Sequence, residues 1–149
     1  MLTGLNDTFQ MDRQNNMYFT IWYGVLKRST GELSYASGGH PPSVLRKADG
    51  SVLTLATPGI AIGMLEGMGY RAAQCLVGEG DRLHIVSDGV YEIAHKDGTM
   101  WEFSDFVAKL VRPPADGVSE MDVALREARA VQGFDAFDDD FSMVKFVFP

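Results

Sequence analysis

The sequence holds a single cysteine, Cys75, among 149 residues. No disulfide can close within the chain, which excludes the small stapled scaffolds of secreted proteins. No apolar run approaches the roughly 18 residues that a membrane span requires. Basic residues are scarce: 13 Lys and Arg stand against 20 Asp and Glu, a formal net charge of −7. A surface of that sign repels phosphate backbones, so nucleic acid is an unfavourable partner. Met1 to Gln10 carry no basic and apolar leader pattern. Also missing are a Walker loop, a Gly-x-Gly-x-x-Gly after a strand, zinc-ligand spacing and a nucleophile elbow. These absences leave a cytoplasmic globular domain as the expectation. Hydrophobic residues make up 46% of the chain, enough for one ordinary core and too many for a disordered segment.

The pattern of what is present is mostly that of strands. Leu2, Leu5 and Phe9 have helical spacing but start abruptly, so they read as the end of a helix. Met17 to Lys27 is rich in aromatic and β-branched residues and reads as a strand buried on both faces. Ser29 to Glu32 is a turn, and Leu33 to Ser37 alternates as the return strand of a hairpin. Gly38-Gly39-His40-Pro41-Pro42 is a shaped loop. Ser43 to Arg46 and Val52 to Leu55 flank Ala48-Asp49-Gly50, a strong hairpin signal. Thr57 to Gly69 reads as an irregular loop, followed by strands over Tyr70 to Val77 and Arg82 to Ser87. Phe103 to Arg112 is a short helix stopped by Pro113-Pro114. Ser119 caps a second helix, with Met121, Leu125 and Ala128 on one face and Gly133 at its end. Phe141 to Phe148 is a closing strand. The order predicts an α+β fold, a layered β-sandwich of mainly antiparallel strands flanked by helices, in a single domain over residues 1–149.

Three groups of residues can carry chemistry. Asp88-Gly89 follows an apolar strand, where a carboxylate can hold a metal or act as a base without being buried unpaired. The same pair is also an ordinary Asp-Gly turn. Asp135 and Asp138-Asp139-Asp140 cluster just before the last strand. Adjacent carboxylates suit hard cations such as Mg²⁺, Mn²⁺ or Ca²⁺, although most acidic runs are solvated turns. The Gly and Glu positions of a calcium-binding helix–loop–helix are absent. His40 is a ligand, an acid–base group or, on its surroundings, a loop-shaping residue. His84 in a strand and His95 in a polar loop suggest no role, and Cys75 reads as a core thiol.

Taken in chain order, these motifs resemble the SpoIIE-like branch of the bacterial type 2C, metal-dependent serine/threonine phosphatases. The family's Ala-Gly-His-Pro-Pro loop corresponds to Ser37-Gly38-Gly39-His40-Pro41-Pro42, with Gly for Ala. Its Asp-Gly-Val-Thr-Glu signature appears as Asp88-Gly89-Val90-Tyr91-Glu92, with Tyr for Thr. Its terminal Asp-Asp-x-Thr resembles Asp139-Asp140-Phe141-Ser142, and the stretch ending Gly63-Met64-Leu65 is similar to its Pro-Leu-Gly-Leu.

The resemblance implies two divalent cations, Mn²⁺ or Mg²⁺, and a water activated between them for attack on phosphoserine or phosphothreonine. Carried over, Asp88 and Asp139 are the metal ligands and catalytic carboxylates, Asp140 is an auxiliary carboxylate, and Gly89 lets the backbone approach the site. The implied substrate is a phosphorylated signalling protein of the anti-sigma-factor antagonist type. The implied parent carries an N-terminal receiver, PAS or GAF sensor. The family's earlier Gly-Gly-Asp-x-x-Asp motif and its Asp-x-x-Gly-His-Gly loop do not occur in the chain. The chain is therefore expected to represent the C-terminal two-thirds of such a domain, to bind metal poorly by itself, to be inactive alone, and to expose apolar sheet edges. Two rival readings stand beside this one: a non-catalytic module of the same fold that docks a signalling partner, and an unrelated β-rich binding domain with two Asp turns.

Overall fold

The structure is a computed structural model that describes residues 1–95, 98–111, 118–133, 137 and 139–149. The chain runs α1 (Leu2–Thr8), β1 (Ile21–Lys27), β2 (Glu32–Gly38), β3 (Ser43–Arg46), β4 (Val52–Leu55), β5 (Ala73–Leu76), β6 (Arg82–Val86), β7 (Ile93–Ala94), β8 (Met100–Trp101), α2 (Phe103–Leu110), α3 (Glu120–Gln132) and β9 (Met143–Val147). One sheet has the order β1-β2-β5 and the other β4-β3-β6-β9. Every ladder between these strands is antiparallel, so the α+β sandwich expected from the sequence is the architecture found.

Period-two alternation sorts the side chains into layers. Leu45 on β3, Leu83 on β6 and Phe148 after β9 meet Leu33 and Tyr35 on β2 to fill the space between the sheets. Fully burying side chains of this size contributes about 1.5–3 kcal/mol each. Trp22 on β1 stacks on Tyr35 with ring centroids 5.8 Å apart, and its indole N–H donates across to the Leu55 carbonyl at 3.3 Å. The alternate residues Val44 and Val86 face the other way and pack with Val90, Phe106, Ala124 and Ala128 in a helix-covered layer. On the outer side of the first sheet, α1 buries Leu2 with Ala36 and Ile62. Asn6 is fully buried and pins the irregular loop. Its amide donates to the Leu65 carbonyl at 3.0 Å, and its Oδ1 accepts from Gly63 N–H at 2.9 Å and Tyr70 O–H at 3.2 Å.

Three expectations are corrected. β1 is not buried on both faces: none of its residues is fully buried, Val25 is half exposed, and Met17 and Tyr18 lie before it and are exposed; among the described residues it also pairs with β2 alone. An aromatic run signals a strand but not whether a neighbour lies on each side. The strand expected from Tyr70 is confined to β5, because Tyr70 is drawn onto Asn6. The most buried positions of α3 are Glu120, Ala124, Ala128 and Gln132, with Met121 and Leu125 only half-buried. The short β7–β8 hairpin carries no signal in the sequence pattern. Ser119 does cap α3, accepting from Met121 N–H at 3.2 Å, and Gly133 ends it at φ 78°. Arg112, Pro113 and Pro114, expected to stop α2, lie outside the described residues.

Candidate metal centre

β6 and β9 are neighbours, registered from Arg82 opposite Val147 to Val86 opposite Met143. This pairing brings the Asp-Gly turn after β6 alongside the acidic segment before β9. Asp88 to Val90 form a single 3-10 turn. Its first bond runs from Val90 N–H to the Ser87 carbonyl at 3.2 Å. Asp88 is exposed at the rim, and its Oδ1 accepts the Gly89 N–H at 3.0 Å.

Gly89 is buried against the opposite chain segment. A Cβ there would stand 2.6 Å from the Asp140 carbonyl oxygen and 3.3 Å from the Asp139 carbonyl carbon. Only a residue without a side chain allows this approach. Asp139 and Asp140 are both exposed, and Asp139 Oδ1 accepts the Asp140 N–H at 2.7 Å. The structure thus brings Asp88, Gly89, Asp139 and Asp140 to one end of the second sheet. Asp135 and Asp138 lie outside the described residues.

Beside Gly89 is a small cavity of about 30 Å³ lined by Gly89, Glu92, Ile93, Gln132, Phe137 and Asp139. It has room for one water-sized particle. Val90 and Tyr91 turn the other way into the helix-covered core, and Tyr91 meets Phe103 edge-to-face at 5.2 Å. Burial pushes the Tyr91 phenol up to about 12, so it is neutral at physiological pH.

Asp88 and Asp139 offer hard oxygen donors on a rim open to water, a donor chemistry that fits Mn²⁺ or Mg²⁺. Among the described residues, no three His, Cys, Asp or Glu side chains form a group able to hold a metal ion. The donor set therefore fits as part of a centre rather than a whole one.

His40 hydrogen-bonds within its own loop: Nδ1 lies 2.9 Å from the Pro41 carbonyl, and the His40 carbonyl accepts from Ser37 Oγ at 2.9 Å. His95 closes the β7–β8 turn through its backbone, donating to the Thr99 carbonyl at 2.8 Å. Cys75 is half-buried against the inter-sheet core, and burial raises its thiol pKa.

Two features escape a reading of the sequence. Ser87 bonds to the acidic segment before β9, and the hydroxyl just ahead of Asp-Gly is its only signal. The other is a buried charge cluster around Glu120, at the start of α3. Glu120 pairs with Arg46 at 2.8 Å, with Arg82, with His84 Nε2 at 3.2 Å and with Lys145 at 3.6 Å. Arg46, Arg82, His84 and Lys145 sit on the helix-facing side of β3, β6 and β9, so they converge only once the sheet is paired.

A family model described as Stage II sporulation protein E (SpoIIE) matches residues 1–148. The phosphoserine phosphatase RsbU of Bacillus subtilis is 25% identical over 99 residues, covering 66% of this chain and 30% of that protein. Protein IcfG of Synechocystis sp. is 31% identical over 74 residues, covering 50% of this chain and 12% of that protein. The chain thus spans less than a third of the curated relatives it matches. The solved RsbU and RsbW domains of Rv1364c from Mycobacterium tuberculosis superpose with a TM-score of 0.68 at 24% identity, over 85% of this chain and 36% of that one. The phosphatase domain of the cell fate determinant SpoIIE from Bacillus subtilis, presoaked in Mn, superposes at 0.65 and 17% identity, over 87% of this chain and 56% of that one. RsbX in complex with magnesium does so at 0.62 and 13% identity, over 97% of this chain and 61% of that one.

Proposed function

Because the chain belongs to the SpoIIE family of PP2C-type serine/threonine phosphatase domains, we propose that it forms one wall of a metal-dependent phosphatase centre in which Asp88 and Asp139 hold divalent cations. Mn²⁺ or Mg²⁺, when bound, supplies Lewis acidity that favours deprotonation of a water and neutralises charge on the phosphate. Asp88 and Asp139 contribute exposed oxygens from opposite strands. Asp140 orients the turn that carries Asp139 through its N–H. Gly89 keeps the two turns in contact by leaving room for the Asp140 carbonyl. That contact is the observation that carries the reading. It joins residues about 50 positions apart in sequence, the loop-closure cost of which is met by the β6–β9 ladder.

The chain is one part of the domain, and the remaining carboxylates come from outside it. The sheet edges support this reading. β1 and β9 each pair on one side only among the described residues. Between them is an apolar groove lined by Trp22, Leu26, Ile85, Val144, Phe146 and Phe148. Further strands of the same domain seated there would extend both sheets. The 149 residues alone accordingly bind metal weakly and do not turn over substrate. The substrate is phosphoserine or phosphothreonine on a cytoplasmic signalling protein, of the anti-sigma-factor antagonist type, and a sensor or receiver domain precedes the catalytic part. The relative named a phosphoserine phosphatase and the neighbour that joins RsbU and RsbW domains support that choice.

A second reading is a docking module of the same fold without catalysis. The two readings separate in the full-length protein. The phosphatase reading expects Mn²⁺-dependent release of phosphate from a phosphoserine peptide, with a loss of about 100-fold or more in Asp88→Asn and Asp139→Asn, on the order expected for removal of a metal ligand. Turnover that ignores Mn²⁺ or survives both substitutions would sink it.

A further inference from the structure

We infer that Ser87 is a positioning residue for the cation centre, its hydroxyl standing in for a backbone carbonyl so that Asp88 can leave the sheet while the segment carrying Asp139 and Asp140 stays anchored to it. This rests on the reading of Asp88 and Asp139 as cation ligands.

The register of β6 and β9 makes Ser87 the residue opposite Ser142, one step beyond the last named pair, Val86 and Met143. In an antiparallel ladder alternate opposite pairs exchange two N–H···O bonds, and the bond between Ser87 and Ser142 marks theirs as one of these. One is present: Ser87 N–H donates to the Ser142 carbonyl at 2.9 Å. The reciprocal bond would run from Ser142 N–H to the Ser87 carbonyl. That carbonyl instead accepts from Val90 N–H at 3.2 Å, closing the 3-10 turn that carries Asp88. The Ser142 N–H is taken by Ser87 Oγ at 2.9 Å. The same hydroxyl donates its proton to the Asp140 carbonyl at 2.7 Å.

One hydroxyl therefore does two things that a methyl group cannot. It fills the ladder position vacated by its own carbonyl, and it anchors the carbonyl of Asp140, next to Asp139. Serine and threonine both supply an acceptor lone pair and a donor on the same atom. Gly89 completes the clamp from the next residue but one, through the close approach to the same Asp140 carbonyl. With alanine at 87, the Ser142 N–H and the Asp140 carbonyl each lose a partner at the mouth of the sheet. Water can satisfy both groups there, since the site is exposed. The cost therefore falls on the alignment of the two carboxylates more than on the fold.

The test is Mn²⁺ affinity of the full-length protein, read by electron paramagnetic resonance of free Mn²⁺ and without reference to turnover. Ser87→Ala is expected to weaken Mn²⁺ binding about tenfold, the low end of what outer hydrogen-bond partners of metal ligands contribute. Ser87→Thr is expected to restore it to within about threefold of the parent protein, because it returns the hydroxyl. Faster hydrogen exchange of the Ser142 N–H in Ser87→Ala, measured without metal, is the matching structural sign. Unaltered Mn²⁺ affinity in Ser87→Ala beside a lost affinity in Asp139→Asn overturns the role of Ser87 alone. So does a loss that threonine fails to restore. Unaltered affinity in Asp88→Asn and Asp139→Asn as well overturns the reading of the centre and this inference with it.

Discussion

At the scale of single residues, the tightest demand falls on Gly89. A methyl group there would press on the Asp140 carbonyl oxygen at 2.6 Å, and backbone on the opposite segment cannot give way as a flexible side chain can. Gly89→Ala is expected to cost about 1–3 kcal/mol, the usual range for overpacking. Urea unfolding measures this, and Mn²⁺ affinity in the full-length protein should fall with it. Asp88 and Gly89 were legible because a carboxylate and a glycine directly after an apolar strand mark the point where a sheet opens to water. Ser87 was not, since the use of a hydroxyl depends on which strand lies opposite. The substitution of Tyr91 for the family's threonine also found its explanation only in the fold: the ring lies in the core against Phe103 and faces away from the acidic rim.

At the scale of elements, the attachment of α3 to the second sheet is electrostatic at one end and apolar along its length. Glu120 is 4% exposed and gathers Arg46, Arg82, His84 and Lys145 beneath the helix N-terminus. Removing its charge leaves Arg46, Arg82 and Lys145 without their anion; because these three are partly exposed, Glu120→Gln is expected to destabilise the fold by about 2 kcal/mol, less than a fully buried pair would cost. Guanidinium unfolding is the measurement. The same cluster sets a pH dependence. Burial holds His84 below its ordinary value of 6.5, against the opposing hydrogen bond and charge of Glu120. Below pH 6.5 the unfolded chain takes up a proton that the folded chain resists, so stability falls as the pH falls. Glu120 adds to this lower down. Burial raises its pKa, but the bonds and charges of Arg82 and His84 outweigh that and hold it below 4.5. Its contribution is complete above 4.5 and is lost as the pH drops through its folded value. His84→Gln keeps a donor toward Glu120 without titrating, and should flatten the decline in unfolding free energy between about pH 7 and 5. An unchanged slope would exclude His84 as its source. The extent of α3 was readable from Ser119 and Gly133, but its buried stripe was not. Glu120 becomes a core residue only because β3, β6 and β9 place their cations under it.

At the scale of the whole molecule, the unpaired edges dominate. Val144 is 60% exposed and Phe146 is 49% exposed, and both face the groove shared with Trp22 and Leu26 on β1. Apolar edge strands of this kind template pairing with other chains. The 149-residue chain by itself is expected to self-associate, with Val144→Lys combined with Phe146→Lys shifting it toward monomer in light scattering. No shift would show that the edges do not drive association. That a strand ends at Lys27 was evident from its residues, while its start at Ile21 and its place at an edge were not, because both depend on which chain segment lies alongside.

Local chemistry is what the chain carries in its own order. Strand alternation, the hairpin turn at Asp49-Gly50, the serine cap and glycine end of α3, and the two acidic turns are all dictated by residues within a few positions of one another. The tertiary structure alone decided which of these meet. Pairing of β6 with β9 set Gly89 against the Asp139–Asp140 backbone and gave Ser87 its two partners, and pairing of β3 with β6 and of β6 with β9 gathered the basic side chains beneath Glu120. Such meetings depend on register between strands far apart in sequence, where a shift of one residue turns every side chain to the opposite face.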